Sequence, residues 1–422
     1  MKVEKTLDNY LEVFEELSQD DSIEEERYNR IIGDKDQINR FEKIALTSNN
    51  KDSNDLLCES WLVVKGRIKS TTDTDFTKAT CPTMCNNGPL HLFEEIALEI
   101  EGFPIESVRS PAIASLLKRI VFEYDDNEEM FFIKNEVTRK KILPGFNNDT
   151  SVGKFLFHIP LKEILDFCYS YEKIVFKCRK TLYVIRKNAD YAIIRSVDPS
   201  ASIELESIEW VIPELRLNSL GREHKLKLLQ EKTILPIAYT QKVLFNFTVT
   251  PHIDLFIHQF NFPANQRPIF AIIGFQNDRG ADQTKDNSIF DSSDINQISL
   301  YMDGIEYPNM SMRNLDFSGN GFINSYRHLV KAREIYFRDY SKEIVSERST
   351  ISMEEYRNNF PLFVFDISRS KERIITSGSV DFKLEVKFSK NTPNTLKGYV
   401  LLLSQTLLSF NTHDEIFTRE EY

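Results

Sequence analysis

The stretch FLFHIPLKEILDFCYSYEKIVFKCRKTLYVIRKNADYAIIR, residues Phe155–Arg195, joins two kinds of hydrophobic pattern in one short span. Its first residues alternate between apolar and polar as in a β-strand, and Pro160 then suits the first turn of a helix. Four apolar residues follow at helical spacing: Leu161, Ile164, Leu165 and Cys168. From Ile174 to Ile185, and again from Tyr191 to Val197, β-branched and aromatic residues are typical of strands. The stretch predicts a short helix inserted between strands.

Composition limits the class of protein. The chain has 422 residues, enough for two domains, and 41% hydrophobic with 28% charged residues indicates a globular protein. It has 31 Phe and 16 Tyr against 14 Gly, which favours large side chains in strands. We find no signal peptide and no apolar run near the ~20 residues that span a bilayer. Five cysteines, an odd number, indicate free thiols in a reducing compartment.

The net charge of −11 bears on possible partners. A protein whose main task is to bind nucleic acid usually carries a basic face, because phosphate contacts dominate the affinity. Lysine and glutamate alternate here along the predicted strands, as on a solvated surface. We therefore expect no strong direct binding of nucleic acid.

Residues 1–55 are predicted to form an acidic N-terminal arm and linker. Residues 1–43 hold 7 Lys and Arg against 13 Asp and Glu. Within Thr6–Leu17 one helical face carries four large apolar residues: Leu7, Leu11, Phe14 and Leu17. Two interpretations stay open: a partly ordered tail, or an assembly arm that docks on a neighbouring subunit.

The rest of the chain predicts many short strands separated by turns, with few helices. The strand with the cleanest alternation is Gly378–Lys387. The segment Ser110–Phe122 begins like a helix, and Phe322–Asp339 is the longest helical candidate. Strand and helix do not alternate regularly, which excludes a parallel doubly wound sheet. Two tandem antiparallel jelly rolls fit best. We place the first at residues 56–212, the connection at 213–232, the second at 233–412 and a C-terminal tail at 413–422.

Several residue groups could carry chemistry, and each has a plainer interpretation. Cys81, Cys85 and His91 could hold zinc, but no second ligand pair stands at the required spacing, so a loop with two thiols is favoured. Cys168 and Cys178 are interpreted as small buried residues. Five aspartates in one loop could bind a hard cation, although a solvated loop is favoured: Asp278, Asp282, Asp286, Asp291 and Asp294.

The remaining motifs predict no catalytic, cofactor-binding or metal site. Gly319-Asn-Gly321 lacks the third glycine and the preceding strand of a dinucleotide-binding motif, so it is interpreted as a turn. His158 and His258 stand on predicted strands, where structural histidines are common. The chain has neither a nucleophile elbow nor a P-loop. We therefore expect a protein that is not an enzyme and that needs no cofactor.

An ordered set of segments resembles the double jelly-roll major capsid proteins of Polinton/Maverick elements and adintovirus-like viruses, in the wider adenovirus-type lineage. The segments, in order, are NNGPLHLFEEIALEIEG (Asn86–Gly102), FLFHIPLKEILDFCYSYEKIVFKCRKTLYVIRK (Phe155–Lys187), IFAIIGFQNDR (Ile269–Arg279), ISLYMDGIEYPNMSMRNLDF (Ile298–Phe317), and FVFDISRS with GSVDFKLEVKFSKNTP (Phe363–Pro393). The acidic arm has no counterpart in this pattern.

The resemblance implies a structural role. It implies homotrimers whose six jelly rolls make a pseudo-hexagonal capsomer, with neighbouring capsomers and penton or minor capsid proteins as further partners. It also implies a virion protein that assembles inside the host cell. The alternative from another class is a β-sandwich that binds or hydrolyses carbohydrate, since jelly rolls also host such sites. That function would need an aromatic platform or two carboxylates facing each other in a cleft.

Overall fold

The structure is a computed structural model, and within it the described residues are 22–33, 38–72, 76, 82–85, 87–122, 153–188, 190, 192–194, 200–231, 234–263, 266–277, 279, 282–340, 350–368, 379–390, 392 and 395–419. These residues fall into two halves, each built from antiparallel sheets. A helix at Ser219–Glu231 connects the two halves.

Strands dominate the first half. They are β1 (Ile23–Ile32), β2 (Lys43–Ser48), β3 (Trp61–Ser70), β4 (Thr83–Met84), β5 (Phe93–Ile100), β6 (Phe103–Arg109), β7 (Lys154–Pro160), β8 (Lys180–Arg186), β9 (Ile193–Ile194) and β10 (Ala201–Leu217). Two four-stranded sheets have the orders β1-β10-β3-β7 and β2-β8-β5-β6. The short β4 and β9 pair separately.

The second half repeats this organisation. Its strands are β11 (Ile234–Val249), β12 (Leu255–Pro263), β13 (Arg267–Asn277), β14 (Ile295–Met302), β15 (Ile305–Met312), β16 (Phe363–Asp366), β17 (Ser379–Phe388), β18 (Leu396–Asn411) and β19 (Ile416–Arg419). Its sheets have the orders β11-β18-β13-β16 and β12-β17-β14-β15, and β19 also pairs with β18.

Both halves share one strand order. When the eight main strands of each half are counted from one to eight, one sheet reads 1-8-3-6 and the other 2-7-4-5. This order is that of a jelly roll, in which eight antiparallel strands form two facing sheets. The prediction of a mainly β, double jelly-roll fold is therefore confirmed.

Two of the five α-helices that the structure describes occupy the same place in the two jelly rolls. They are α1 (Pro111–Phe122), α2 (Asp166–Ser170), α3 (Ser219–Glu231), α4 (Ile323–Asp339) and α5 (Met353–Asn359). Helix α1 and helix α4 each follow the fifth strand of their jelly roll and precede the sixth. All twelve residues of α1 are buried, so this helix belongs to the core.

Strand β13 shows where the two halves meet. Ile269–Phe275, which is apolar on both faces in the sequence, is buried throughout. Phe270 and Ile272 pack in a core that they share with the first half, whereas Ile273 and Phe275 pack in the second jelly roll's own interior. The 1-8-3-6 sheet of the second half is thus covered on both faces, which explains its continuous apolar sequence.

Some predicted boundaries are wrong. Strands β1 and β2 lie inside residues 1–55, which were predicted to be an arm and linker, and Asp55 is fully buried with its carboxylate 2.6 Å from the Lys180 ammonium. Strand β19 lies inside the predicted tail at 413–422. Strand β1 is exposed along most of its length and is held by backbone pairing with β10, so its sequence has no apolar alternation to reveal it. Strand β2 does alternate, with Ile44 and Leu46 buried, but it has only six residues, and β19 has only four.

Two further expectations change in detail. The connection was predicted to begin at residue 213, but β10 continues to Leu217 and α3 then begins at Ser219. The helix predicted over Leu161–Cys168 is a 3₁₀ turn at Leu161–Glu163 followed by α2. Leu165, in extended backbone conformation, separates the two turns.

Candidate functional site at the junction of the two jelly rolls

Aromatic rings join α1, α4 and β13. Phe122 at the end of α1 stacks on Tyr336 of α4, with ring centroids 4.3 Å apart. Phe122 also packs against Phe270 of β13, at 5.1 Å. Aromatic pairs in such arrangements contribute about 0.5–1.5 kcal/mol each beyond their buried area. The two inserted helices therefore tie the first jelly roll to the second.

A buried ion cluster reinforces this junction. One carboxylate oxygen of Asp166, in α2, lies 3.0 Å from the ammonium of Lys118 in α1 and 3.0 Å from that of Lys242 in β11. All three side chains are at most 4% exposed. Burial alone would raise the pKa of Asp166, but the two lysines outweigh it and hold this pKa below its ordinary value.

Glu106 of β6 completes the cluster. Its carboxylate accepts hydrogen bonds from the backbone N–H of Phe167, at 2.8 Å, and of Lys242, at 3.4 Å. Burial and the negative charge of Asp166 raise the pKa of Glu106 to about 7, against the opposing effect of the Lys242 ammonium. The cluster therefore changes charge near neutral pH.

Hydrogen bonds and an ion pair outside the cluster also cross between the halves. The hydroxyl of Tyr239 donates to the Ile105 carbonyl, at 2.8 Å. The Gln283 side chain accepts from the backbone N–H of Ala201, at 3.0 Å, and donates to its carbonyl, at 2.6 Å. Lys51 forms an ion pair with Glu415 at 2.7 Å. Apolar packing, the buried ion cluster and these further bonds together hold the two jelly rolls as one body.

This cluster was missed in the sequence analysis. Lys118 stands in the otherwise apolar helix SPAIASLLKRIVF and is the one signal that could have drawn attention to a buried charge. Asp166, Glu106 and Lys242 stand in ordinary mixed sequence, and only the fold brings them together. Buried lysines need a counter-charge, but the sequence does not show which carboxylate supplies it.

Three of the four cysteines that the structure describes are buried, and Cys58 is half-buried. Cys81 lies outside the described residues, while Cys85 and His91 are buried. Cys168 and Cys178 are buried free thiols, and burial raises the pKa of Cys178 to about 12. Across the described part of the chain, no group of three or more His, Cys, Asp and Glu side chains could hold a metal ion.

Three aspartates of the predicted acidic loop bind side chains of the same loop. Asp278 lies outside the described residues. Asp282 and Asp286 accept bonds from the hydroxyls of Thr284 and Ser288, both at 2.6 Å. Asp291 pairs with Arg279 at 2.6 Å. These carboxylates shape the turns of the loop.

The remaining predicted positions have structural surroundings. His158 is exposed on β7, and His258 stacks on Phe247 with ring centroids 4.6 Å apart. Gly319 and Gly321 lie in the turn before α4. The four apolar positions of the predicted arm lie outside the described residues: Leu7, Leu11, Phe14 and Leu17.

Helix α3 leaves apolar side chains in solvent. Leu220, Leu226 and Leu228 are 65%, 59% and 48% exposed. Gly221 is the one buried residue among positions 219–230. Such a helix gains little from the core of a single subunit, so it is a candidate contact surface.

Of the helices in the described part, none combines the length and the apolar character that a bilayer span requires. Among curated protein sequences, none matches this chain significantly. The chain is similar to solved structures at low identity. A chain of the Sputnik virophage cryo-EM structure shares 10% identity, with a TM-score of 0.59, and the match covers 100% of this chain and 93% of that one.

Two further structures show the same fold. The crystal structure of the mavirus major capsid protein has 8% identity and a TM-score of 0.54, with 93% of this chain and 90% of that chain covered. The quasi-atomic model of the PBCV-1 virus capsid has 11% identity and a TM-score of 0.55, with 94% and 97% covered. The family model described as the double jelly roll-like domain matches residues 83–408. Since this match spans most of the sequence, the chain belongs to the double jelly roll-like domain family.

Proposed function

We propose that this chain is a major capsid protein that forms the shell of an icosahedral virus or virus-like particle. The observation that carries the proposal is the fusion of two jelly rolls with one strand order through a single buried junction. The proteins it is similar to include a virophage structure and the mavirus major capsid protein, which supports the same role.

The proposed assembly is a homotrimer with six jelly rolls in a pseudo-hexagonal ring. A jelly roll is a compact body with stiff strands, and its loops vary without disturbing its core. Two such bodies in one chain let threefold symmetry imitate sixfold packing, and repeated identical contacts close into a shell. This arrangement needs a rigid junction, because a hinge would let the two jelly rolls change their relative orientation, and the six jelly rolls could not then keep a regular ring.

Further partners and location follow from this role. We propose contacts with neighbouring capsomers and with penton or minor capsid proteins, assembly inside the host cell, and a place in the Polinton and adenovirus-type lineage. The net charge of −11 supports a shell protein that does not itself condense the genome, a task that we assign to other, basic proteins. The role is structural, with no catalytic step.

The N-terminal segment is proposed to act between subunits. Its apolar positions Leu7, Leu11, Phe14 and Leu17 would fold as one helical face when they pack on a neighbouring subunit. A helix of about a dozen residues is marginal alone, because nucleation is unfavourable and packing supplies most helical stability.

The carbohydrate-directed alternative receives no support from the buried carboxylates. Asp55 and Asp166 are ion-paired with lysines in the core, and Glu106 accepts backbone hydrogen bonds there. None of these three lies in an open cleft where a sugar could reach it.

Analytical ultracentrifugation of the purified chain at neutral pH tests the proposed assembly. We expect a species of about 148 kDa, three times the chain mass of 49.3 kDa, or a larger particle. Loading concentrations that span two orders of magnitude separate a stable trimer from weak self-association. A monomer that persists at the highest concentration contradicts the proposal.

A further inference from the structure

The first jelly roll packs on one face of a sheet in the second. The sheet β11-β18-β13-β16 turns its outer face, with Tyr239 and Phe270, toward the first half. Phe122 of α1 packs against Phe270, with ring centroids 5.1 Å apart. Phe167 of α2 meets Tyr239 edge to face, at 5.2 Å. The Tyr239 hydroxyl donates to the carbonyl of Ile105 in β6. Three elements of the first jelly roll, α1, α2 and β6, therefore cover this outer face.

The equivalent face of the first jelly roll exposes large apolar side chains. The sheet β1-β10-β3-β7 has the same strand order, so its outer face corresponds to the one that is covered in the second half. Tyr28, Ile32 and Leu156 are 57%, 61% and 47% exposed. The Tyr28 ring packs against Trp61 of β3, with ring centroids 5.5 Å apart. Apolar surface is thus left in solvent where the second half has its junction.

The strand register gathers these side chains on one surface. Ile32 of β1 and Val63 of β3 both lie opposite Glu209 of β10. Leu156 of β7 lies opposite Lys65, two residues beyond Val63 in β3. The residues that alternate with them in β3 and β7 are buried, so these positions point away from the core. We call this surface the outer patch, and its members are Tyr28, Ile32, Trp61, Val63 and Leu156.

Charged side chains border the outer patch and pair with one another. The Lys65 ammonium lies 2.9 Å from the Glu206 carboxylate, and the Arg67 guanidinium lies 2.6 Å from the Glu204 carboxylate. An apolar centre with a polar rim is the usual organisation of a protein interface. Single exposed apolar residues are common, whereas a contiguous patch marks an interaction surface.

The second jelly roll has counterparts of the elements that form the junction. Helix α4 stands between the fifth and sixth strands, as α1 does, and β15 is the fifth strand, as β6 is. Ile323 at the start of α4 and Ile305 at the start of β15 are 38% and 45% exposed, whereas every residue of α1 is buried. The second half therefore keeps exposed apolar residues on the elements that, in the first half, pack on a neighbouring sheet.

We propose that the outer patch is the docking site for the second jelly roll of another copy of this chain, through β15 and the start of α4. The contact repeats between chains the junction that α1, α2 and β6 make within one chain. It joins two different surfaces, so it is a heterologous contact, of the kind that closes rings. Three chains then form a ring of six jelly rolls in which internal and intermolecular junctions alternate. This inference rests on the proposed homotrimer and names the surfaces that form it.

Ile32→Lys combined with Leu156→Glu tests the docking site. The introduced lysine stands opposite Glu209 and the introduced glutamate opposite Lys65, so each cross-strand pair has opposite charges, and the subunit keeps its fold and its net charge. In analytical ultracentrifugation, we expect the concentration at which half of the trimers dissociate to rise at least about tenfold, because a charge buried in the contact loses its water without gaining a partner.

Leu255→Glu combined with Ile257→Lys is the matched control. These two residues of β12 are 44% and 50% exposed on the other sheet of the second jelly roll, opposite Lys387 and Glu385. The control therefore makes the same two kinds of substitution, with the same charge pairing, away from the outer patch. Its trimers should dissociate like those of the parent chain.

Thiol labelling tests the same contact without disturbing it. Leu156→Cys and Ile257→Cys place a thiol at positions that are about equally exposed in the single chain, 47% and 50%. In isolated trimers, a maleimide followed by peptide mass spectrometry should label the thiol of Leu156→Cys at least about tenfold more slowly, since covered groups react only when the contact opens. In urea the two thiols should react at similar rates.

The outcomes separate this inference from the proposed function. A parent chain that stays monomeric overturns the homotrimer and the docking site together. Parent trimers in which both thiols react equally fast, or in which both double variants dissociate like the parent, overturn the docking site alone. Unchanged trimers together with a lower melting temperature of the Ile32→Lys, Leu156→Glu subunit show that a segment of the same chain covers the patch, which also overturns the docking site.

Discussion

At the scale of single residues, Asp166 and Glu106 decide how the junction responds to pH. Asp166 is paired with a lysine from each half, so its ionised form is favoured in the folded state. Its contribution to the unfolding free energy is therefore lost only as the pH falls below the ordinary pKa of an aspartate. Glu106 behaves in the opposite way, because its folded pKa is raised to about 7. The proton on Glu106 therefore stabilises the folded state at low pH.

The sign of this effect gives a prediction. Below pH ~4.5 Glu106 is protonated in both the folded and the unfolded state. As the pH rises toward the folded pKa of about 7, the unfolded state loses this proton first, so the unfolding free energy falls. Glu106→Gln stays neutral and keeps the acceptor for the Phe167 N–H. Between pH 5 and 7.5, we expect the parent chain to lose roughly 1–3 kcal/mol of unfolding free energy relative to Glu106→Gln.

Urea unfolding at several pH values measures this difference. The comparison between variants is needed because the pKa of the buried His91 is lowered to about 3, so that residue destabilises the fold as the pH falls. The exposed Glu59→Gln is the control and should follow the parent curve. Parallel curves for Glu106→Gln and the parent chain would show that Glu106 does not titrate in this range.

At the scale of strands and helices, packing of one ring on a glycine fixes the pairing of β11 with β18. Phe247 lies directly opposite Gly398, and a Cβ added at Gly398 would overlap the Phe247 ring. We expect Gly398→Ala to lower the unfolding free energy by about 1–3 kcal/mol, as overpacking in a core does. A double-mutant cycle with Phe247→Ala tests the cause by urea unfolding. If Gly398→Ala costs the same in both backgrounds, the ring contact is not responsible.

Helix α3 provides a second prediction at this scale. If its exposed leucines contact another subunit, Leu220→Glu with Leu226→Glu should weaken trimer formation while the circular dichroism spectrum and melting of the subunit stay unchanged. Burial of a leucine contributes roughly 1.5–3 kcal/mol, so we expect the sedimenting trimer to dissociate at concentrations where the parent stays associated. Gln230→Glu on the same helix is the control for added charge. An unaltered trimer in the double variant would remove α3 from the interface.

The sequence predicted the elements whose burial has a simple period. Strand β17 was expected at Gly378–Lys387 and is observed at Ser379–Phe388, because one face meets the core and the other meets solvent. The turn between β14 and β15 is also determined locally: its residues Asp303 and Gly304, a pair typical of tight hairpins, both adopt positive φ. Strand β1 was not predicted, because it is exposed on both faces and is held by backbone pairing with β10. The ion cluster escaped prediction because its charges meet only through tertiary packing.

At the scale of the whole molecule, the two jelly rolls behave as one body. The core that fills the first half continues across α1 and α4 onto the second half, so relative motion of the two would expose apolar surface. The N-terminal arm is proposed to act outside this body. Deletion of residues 1–20 should leave folded protein whose particles form less readily or differ in form. Dynamic light scattering and electron microscopy measure this, with the full-length chain beside it. Identical assembly, or failure to fold, would contradict the role of the arm.

Electron microscopy of the purified full-length chain tests the central claim most directly. Two-dimensional class averages of single particles show whether six similar lobes surround a threefold axis. The account predicts pseudo-hexagonal trimers, alone or tiled in closed shells. Dispersed monomers with two lobes, at concentrations where a capsid protein would assemble, would contradict it.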